Sequence, residues 1–308
     1  MKVLIADEVD QECPSRLRAA GFDVKEWYGI SPDDLKKVIA DYEILIVRSR
    51  TKVTKEIIDL GNKLKMIARV GVGLDTIDVK AAESRGIKVI NTPQMSTVAV
   101  AELTISLMLN LIRGTYLAID SMKKGLWAKK NFYGNELYGK TLGVVGFGRI
   151  GKAVAERVRA FGMKILVYDI FVEDNALMRL GASRASSLED LLSQSDIVTL
   201  HVTLTPETKH LINARTLSLM RKGSYLINTS RGEVVNTRDL LDALKSGHLA
   251  GAALDVYENE PPKETWEKEL ISLPNVIATP HIGAQTHEAQ VSGAIAVAEN
   301  IINAFKPL

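Results

Sequence analysis

A chain of 308 residues with 46% hydrophobic and 25% charged residues carries apolar material for two cores. Its formal net charge of +2, with the basic residues scattered, leaves no electrostatic footprint for nucleic acid, and its single cysteine, Cys13, excludes an internal disulfide framework and fits a reducing cytosol. The most apolar long stretch, 98–112, is interrupted by Glu102 and Asn110 and is too short to span a bilayer, so a cytoplasmic protein without a membrane partner is expected.

Strand-like and helix-like segments alternate from the start. "KVLIAD" at 2–7 reads as a strand, and "CPSRLRAAG" as a helix stopped at Gly21. "FDVKEWY" is strand-like. "SPDDLKKVIADY" opens on Ser31 as an N-cap, with Pro32 at the first helical position. "EILIVRS", 43–49, is the continuous apolar run that a strand buried on both faces requires. A helix in "TKEIIDLGNKL", a strand in "KMIARVG", a helix in "TIDVKAAESRG" and a strand in "IKVINT" keep the rhythm. A long helical segment from about Thr97 to Lys124 then interrupts it. A second series follows through "KTLGVVGFGRIG", "KILVYD", "DIVTLHV", "SYLINTS", "LAGAALDV" and "NVIATPH". The last helical stretch, 287–305, belongs to neither series by itself and is assigned to the first domain. The expected fold class is α/β, with two doubly wound parallel-sheet domains: 1–97 plus 287–308, and 98–286.

"LGVVGFGRIG" places Gly146, Gly148 and Gly151 in a G-x-G-x-x-G pattern between an apolar strand and a helical pattern. Gly146 allows the tight turn, Gly148 lets backbone approach a pyrophosphate, and Gly151 allows close helix–strand packing. The free N–H groups of the helix start complete a phosphate site. The next strand ends at Asp169, where an acidic residue would grip a ribose hydroxyl. Ile170 and Phe171 follow it rather than a basic residue, which favours NAD over NADP.

Three later strands end in groups with chemistry: Thr229, Ser230 and Arg231; Asp255, with Glu260 in the loop beyond; and His281 after Pro280. In an open α/β sheet, ligands sit at the carboxyl ends of the strands. Taken singly, these side chains also suit a surface cation, a helix cap, a loop carboxylate and a structural histidine. Taken together they suit oxidation of a hydroxyl. An imidazole takes the proton, a carboxylate orients it and raises its pKa, and a guanidinium holds a carboxylate. His201, at the end of "DIVTLH", is a second candidate base, placed nearer the cofactor. No His, Asp and Glu grouping has zinc-ligand spacing, and no metal is expected.

The motifs "LIVRSRTKVT", "RVGVGLDTID", "ELYGKTLGVVGFGRIG", "NTSRGEVV", "GAALDVYENEPP" and "TPHIGAQT" occur in this order along essentially the whole chain. In them the chain resembles the D-isomer-specific 2-hydroxyacid dehydrogenases, most of all the members that oxidise 3-phospho-D-glycerate. The resemblance implies a Rossmann NAD-binding domain and a flavodoxin-like substrate domain. It implies Arg231, Glu260 and His281 as the active-site set. It implies an NAD site lined by Val72, Arg149, Ile150, Asp169, His201, Val202, Thr229, Ser230, Arg231, Asp255 and His281 to Ala284, Gly283 among them. The loop Arg69, Val70, Gly71, Val72 and Gly73 is similar to one that holds a substrate carboxylate, Arg48, with Ser49 beside it, matches an Arg that helps hold a substrate phosphate, and Lys129 matches a basic residue that assists from a neighbouring subunit. Val72 stands where related loops have Thr, and Thr203 where many have Pro. The chain ends at Leu308, where longer family members continue into serine-binding regulatory domains, so feedback by that route is not expected.

The expected activity is thus NAD-dependent oxidation of a phosphorylated D-2-hydroxyacid. A cleft is expected to close about Thr97–Ala99 and Gln285–His287, with a homodimer formed through the 98–124 segment. A glyoxylate or hydroxypyruvate reductase is the alternative within enzymes, and Arg48 with Lys129 is the discriminating feature. A dinucleotide-sensing co-repressor is the alternative outside them, and the complete Arg, Glu and His set argues against it.

Overall fold

The computed structural model describes residues 1–305. Among the described residues the strands form two wholly parallel sheets. The first contains β1 (Lys2–Ile5), β2 (Asp23–Glu26), β3 (Ile44–Val47), β4 (Met66–Arg69) and β5 (Lys88–Asn91), in the order β2-β1-β3-β4-β5. The second contains β6 (Thr141–Val145), β7 (Lys164–Tyr168), β8 (Ser183–Arg184), β9 (Ile197–Leu200), β10 (Tyr225–Asn228), β11 (Gly251–Leu254) and β12 (Val276–Ala278), in the order β12-β11-β10-β9-β6-β7-β8. Each order runs outward in both directions from an early strand, as doubly wound sheets do.

Helices cover both faces of each sheet. On the first, α2 (Pro32–Val38), α3 (Lys55–Leu60) and α4 (Val79–Ser84) bury Leu35, Ile57, Ile58 and Ala82 with Leu4, Leu45 and Ile67. On its other face, α1 (Glu12–Ala19) and α13 (His287–Phe305) bury Leu17, Ala294, Val297 and Ile301 with Val3, Ile5 and Ile46. The four residues of β3 are therefore fully enclosed, each side chain worth about 1.5–3 kcal/mol in burial. Local chemistry starts α2 as the sequence implies: the Ser31 hydroxyl accepts the Asp34 amide at 3.1 Å, and Pro32 follows with its φ preset.

On the second sheet, α5 (Thr97–Arg113), α7 (Arg149–Val158) and α8 (Asp174–Leu180) pack on one face. The other face carries α9 (Leu188–Gln194), α10 (Ala214–Leu219), α11 (Thr237–Lys245) and α12 (Thr265–Ser272). The long helical segment from about Thr97 to Lys124 is two helices. Gly114 takes the left-handed conformation, φ +60°, and α6 (Thr115–Lys123) starts after a bend of 73°. No single helix among the described residues is long and apolar enough to cross a membrane, and the α5–α6 pair that together meets the test is broken at this bend.

The chain divides into two compact units. Met1–Ala99, joined by the part beginning at Ala284, forms one, and Val100–Gly283 forms the other.

Candidate active site

The turn after β6 sits where the second sheet changes winding direction, between β6 and β9. Gly146 has φ +90°, and a Cβ there would lie 2.6 Å from the His201 carbonyl oxygen. A Cβ on Gly151 would collide with the Gly146 oxygen, so α7 is seated directly on the turn. Gly148 is different: among the described residues nothing lies within 4 Å of the position its Cβ would take. As the N-cap of α7 it makes no side-chain capping bond, so the first amides of the helix, including those of Arg149 and Ile150, are not capped by it. That open, amide-lined approach fits a dinucleotide pyrophosphate.

Asp169, at the end of β7, accepts the Phe147 amide at 2.6 Å and the Phe171 amide at 2.7 Å. Its carboxylate ties the glycine turn to the next loop while retaining lone pairs for a hydroxyl. His201 follows β9, and its amide bonds Val145 O at 2.8 Å. Its ring Nε2 lies 3.0 Å from Thr199 Oγ1, and its Nδ1 is buried without a partner among the described residues. Burial pushes the imidazole down to about 3, so it is neutral near pH 7 and a weak proton acceptor. Val202 borders the same turn, within 2.9 Å of the Gly146 Cβ position.

The strands β10, β11 and β12 are neighbours, and their ends carry Arg231, Asp255 and His281. Beyond β10, Asn228 organises the turn. Its Oδ1 accepts both the amide and the hydroxyl of Ser230, and its Nδ2 donates to Arg231 O at 2.8 Å. The Thr229 hydroxyl is engaged with Thr104 of α5 at 2.9 Å, and both residues are buried. The Arg231 guanidinium donates to Ser230 O at 2.7 Å.

His281 is one of two non-glycine residues with positive φ among those described, at 52°. Asp255, 2% exposed, holds the turn around it. One of its oxygens accepts the Thr279 hydroxyl at 2.6 Å and the Ile282 amide at 2.9 Å, and the other accepts the Gly283 amide at 2.9 Å. A Cβ on Gly283 would lie 3.2 Å from that carboxylate, and Ala284 follows half-buried. The Tyr257 hydroxyl is shared between Leu254 O and Thr279 O. His281 Nδ1 lies 2.7 Å from Glu260 Oε2, and both side chains reach solvent. The bond to Glu260 raises the imidazole pKa, while burial and Arg231 oppose it. Burial raises the Asp255 pKa against its three hydrogen bonds. Gly232 lets the Arg231 turn meet the Glu260 loop, because a Cβ there would overlap the Tyr257 carbonyl and lie 2.5 Å from the Glu258 nitrogen.

In the first unit, Arg48 and Ser49 follow β3. Asp7, 3% exposed, accepts the Arg48 amide at 2.6 Å and both the amide and the hydroxyl of Thr51. The Arg48 guanidinium donates to Glu8 O at 3.1 Å. Burial lowers its pKa, opposed by the Asp7 and Glu8 carboxylates. Ser49 is exposed. In the loop after β4, Arg69 Nε bonds Gly73 O at 3.1 Å, the Val70 amide bonds Val47 O, and the Gly71 amide bonds Thr92 Oγ1. Among the described residues the Val72 and Gly73 amides have no such partner. Lys129 is exposed in the second unit, in the short turn Lys129–Asn131.

Sequence reasoning overlooked Asn228, Tyr257, Asp7 and Thr92. Asn228 and Asp7 carried a readable signal, a polar side chain at the end of a largely apolar run, whereas Tyr257 and Thr92 act through loop geometry.

Residues 105–283 match the family model described as D-isomer specific 2-hydroxyacid dehydrogenase, NAD binding domain. The chain is 44% identical over 301 residues to the D-3-phosphoglycerate dehydrogenase of Methanocaldococcus jannaschii, covering 98% of this chain and 57% of that protein, so it spans little more than half of that relative. It is 46% identical over 279 residues to the hydroxypyruvate reductase of Thermotoga maritima, covering 91% of this chain and 89% of that one. Among solved structures, a glyoxylate reductase from Paecilomyes thermophila superimposes with a TM-score of 0.90 at 31% identity, covering 99% and 95% of the two chains.

Proposed function

The chain belongs to the D-isomer specific 2-hydroxyacid dehydrogenase family, and from that premise we propose that it oxidises a D-2-hydroxyacid with NAD, with 3-phospho-D-glycerate as substrate and 3-phosphooxypyruvate as product. The observation that carries the reading is the 2.7 Å pairing of His281 Nδ1 with Glu260. That bond orients the ring and leaves Nε2 as the nitrogen that takes the hydroxyl proton. Glu260 balances the imidazolium that forms. Arg231, whose backbone is pinned by Asn228, presents a guanidinium suited to a substrate carboxylate. When bound, NAD supplies the two-electron acceptor for the hydrogen on the substrate carbon. Gly146 to Gly151, Asp169, His201, Val202 and Asp255 are the residues proposed to hold or border it. In the first unit, the Val72 and Gly73 amides are donors suited to a carboxylate, and Arg48 with Ser49 is assigned to a phosphate, with Lys129 assigned to assist from a neighbouring subunit.

One observation favours a second reading, reduction of hydroxypyruvate or glyoxylate. The Arg48 guanidinium is already bonded to Glu8 O and has two carboxylates nearby, a setting less suited to a phosphate dianion. The deciding experiment follows NADH absorbance with 3-phosphoglycerate, glycerate and lactate in oxidation, and with hydroxypyruvate and glyoxylate in reduction. A preference for 3-phosphoglycerate over glycerate of tenfold or more in kcat/KM supports the first reading. Equal use of both sinks it.

The subunit partner is proposed to be a second copy of the chain, docked through α6 and the segment after it. Ile119, Met122, Leu126, Trp127 and Tyr133 are each more than half exposed there, an apolar patch that a monomer would leave in water. Sedimentation of the wild type as a dimer and of Ile119→Asp/Met122→Asp as a monomer is the expected result. A monomeric wild type refutes the assignment.

A further inference from the structure

We propose that Glu267 is a positioning residue for the general base, acting through the loop that carries Glu260. This rests on the base assignment above. Glu267 is the third residue of α12 and is 2% exposed. Each of its carboxylate oxygens accepts two N–H groups. One takes the Asn259 amide at 3.0 Å and the Asn259 side-chain amide at 3.1 Å; the other takes the Lys263 amide at 2.8 Å and the Glu264 amide at 3.0 Å. The donors lie on either side of Glu260, Pro261 and Pro262. A single carboxylate therefore clamps both ends of the segment that presents Glu260.

Within that segment the prolines have no N–H to give. Among the described residues the Glu260 carboxylate has one bond besides that to His281, a long 3.3 Å contact from the Tyr257 amide. Its place is thus set by the clamped ends. Capping of α12 accounts for the bond from Glu264, which belongs to the capping box. It does not account for the two bonds from Asn259, which lie five residues before the cap and next to Glu260. Burial alone would raise the Glu267 pKa, but its hydrogen bonds from Glu264, Lys263 and Asn259 together hold it below the usual carboxylate range. The charged groups acting on His281 are Glu260, Asp255 and Arg231, so displacement of Glu260 removes the largest of the influences that raise its pKa.

The test compares Glu267→Ala, Glu267→Gln and Glu260→Gln with the wild type, reading the His281 titration by NMR, NAD affinity by calorimetry, and the pH profile of kcat/KM for oxidation. In Glu267→Ala the His281 titration and the rising limb of the profile are expected to move down toward the ordinary histidine value. Turnover is expected to fall about 10- to 100-fold, with NAD affinity unchanged. Glu267→Gln keeps the volume and loses half of the acceptors, so it is expected to fall between; it decides the matter if Glu267→Ala does not fold. If the folded Glu267 variants leave the His281 titration and the limb in place while Glu260→Gln moves them, Glu267 only caps α12 and the inference fails. If Glu260→Gln moves neither, the base assignment fails, and the inference with it.

Discussion

Gly232→Ala tests how closely the Arg231 turn and the Glu260 loop are fitted. A Cβ at position 232 would sit 2.5 Å from the Glu258 nitrogen, where ordinary contact starts at 3.4 Å, and would overlap the Tyr257 carbonyl more severely. The clash involves backbone, so rotamer changes cannot relieve it. One loop must retreat by about 0.9 Å at the nitrogen alone. A displacement of about 1 Å between reacting groups costs about 100-fold in rate, or about 2.7 kcal/mol of transition-state stabilisation. Overpacking of this kind also costs about 1–3 kcal/mol in stability. Steady-state kinetics followed by NADH absorbance should therefore show kcat/KM reduced about 100-fold. A lower melting temperature should accompany it. A folded Gly232→Ala enzyme within threefold of wild-type kcat/KM would refute the argument that these loops must stay in register.

Gly148→Ala is the converse perturbation: with nothing within 4 Å of the added methyl, the melting temperature should hold while NAD binding weakens at least tenfold, as titration calorimetry would register. His281 must be neutral to accept a proton, so oxidation should rise as pH passes upward through its raised pKa, and the reverse reaction, which needs the imidazolium, should fall over the same interval. Glu260→Gln should shift that limb to lower pH, and an unmoved limb would show that Glu260 does not act on the base. Arg48→Ala should raise KM for 3-phosphoglycerate more than tenfold with little change for glycerate; equal changes would remove Arg48 from phosphate recognition.

Much of the architecture was legible because each strand is a short apolar run with punctuation at both ends. Ile44 to Val47 could be nothing but an enclosed strand, and Ser31–Pro32 announces α2 by its own stereochemistry. β8 escaped because Ser183 and Arg184 are two exposed polar residues that pair with β7 without an apolar run. The break at Gly114 escaped because an isolated glycine within a helical pattern is compatible with either outcome. In the candidate site, the residues at strand ends could be named from spacing. What they bond to could not. Asp255 is proposed to border the cofactor, but that its carboxylate also ties down Thr279, Ile282 and Gly283 around His281 has no signature in the sequence. Glu267 carries no sequence signal beyond its place in a helical first turn, because its four donors are brought together only when the proline loop folds back on it.

The left-handed backbone at His281 has a consequence for using the proposed enzyme as a tool. An ordinary side chain in that conformation costs about 1–2 kcal/mol, whereas asparagine enters it readily. The site thus trades local robustness for chemistry, with Asp255 and Tyr257 holding the residue where its own preferences would not. His281→Asn should therefore abolish turnover without loss of thermal stability. Under the proposed activity, such a chain would hold hydroxyacid and oxidised dinucleotide unreacted, a quiescent ternary complex suited to crystallisation.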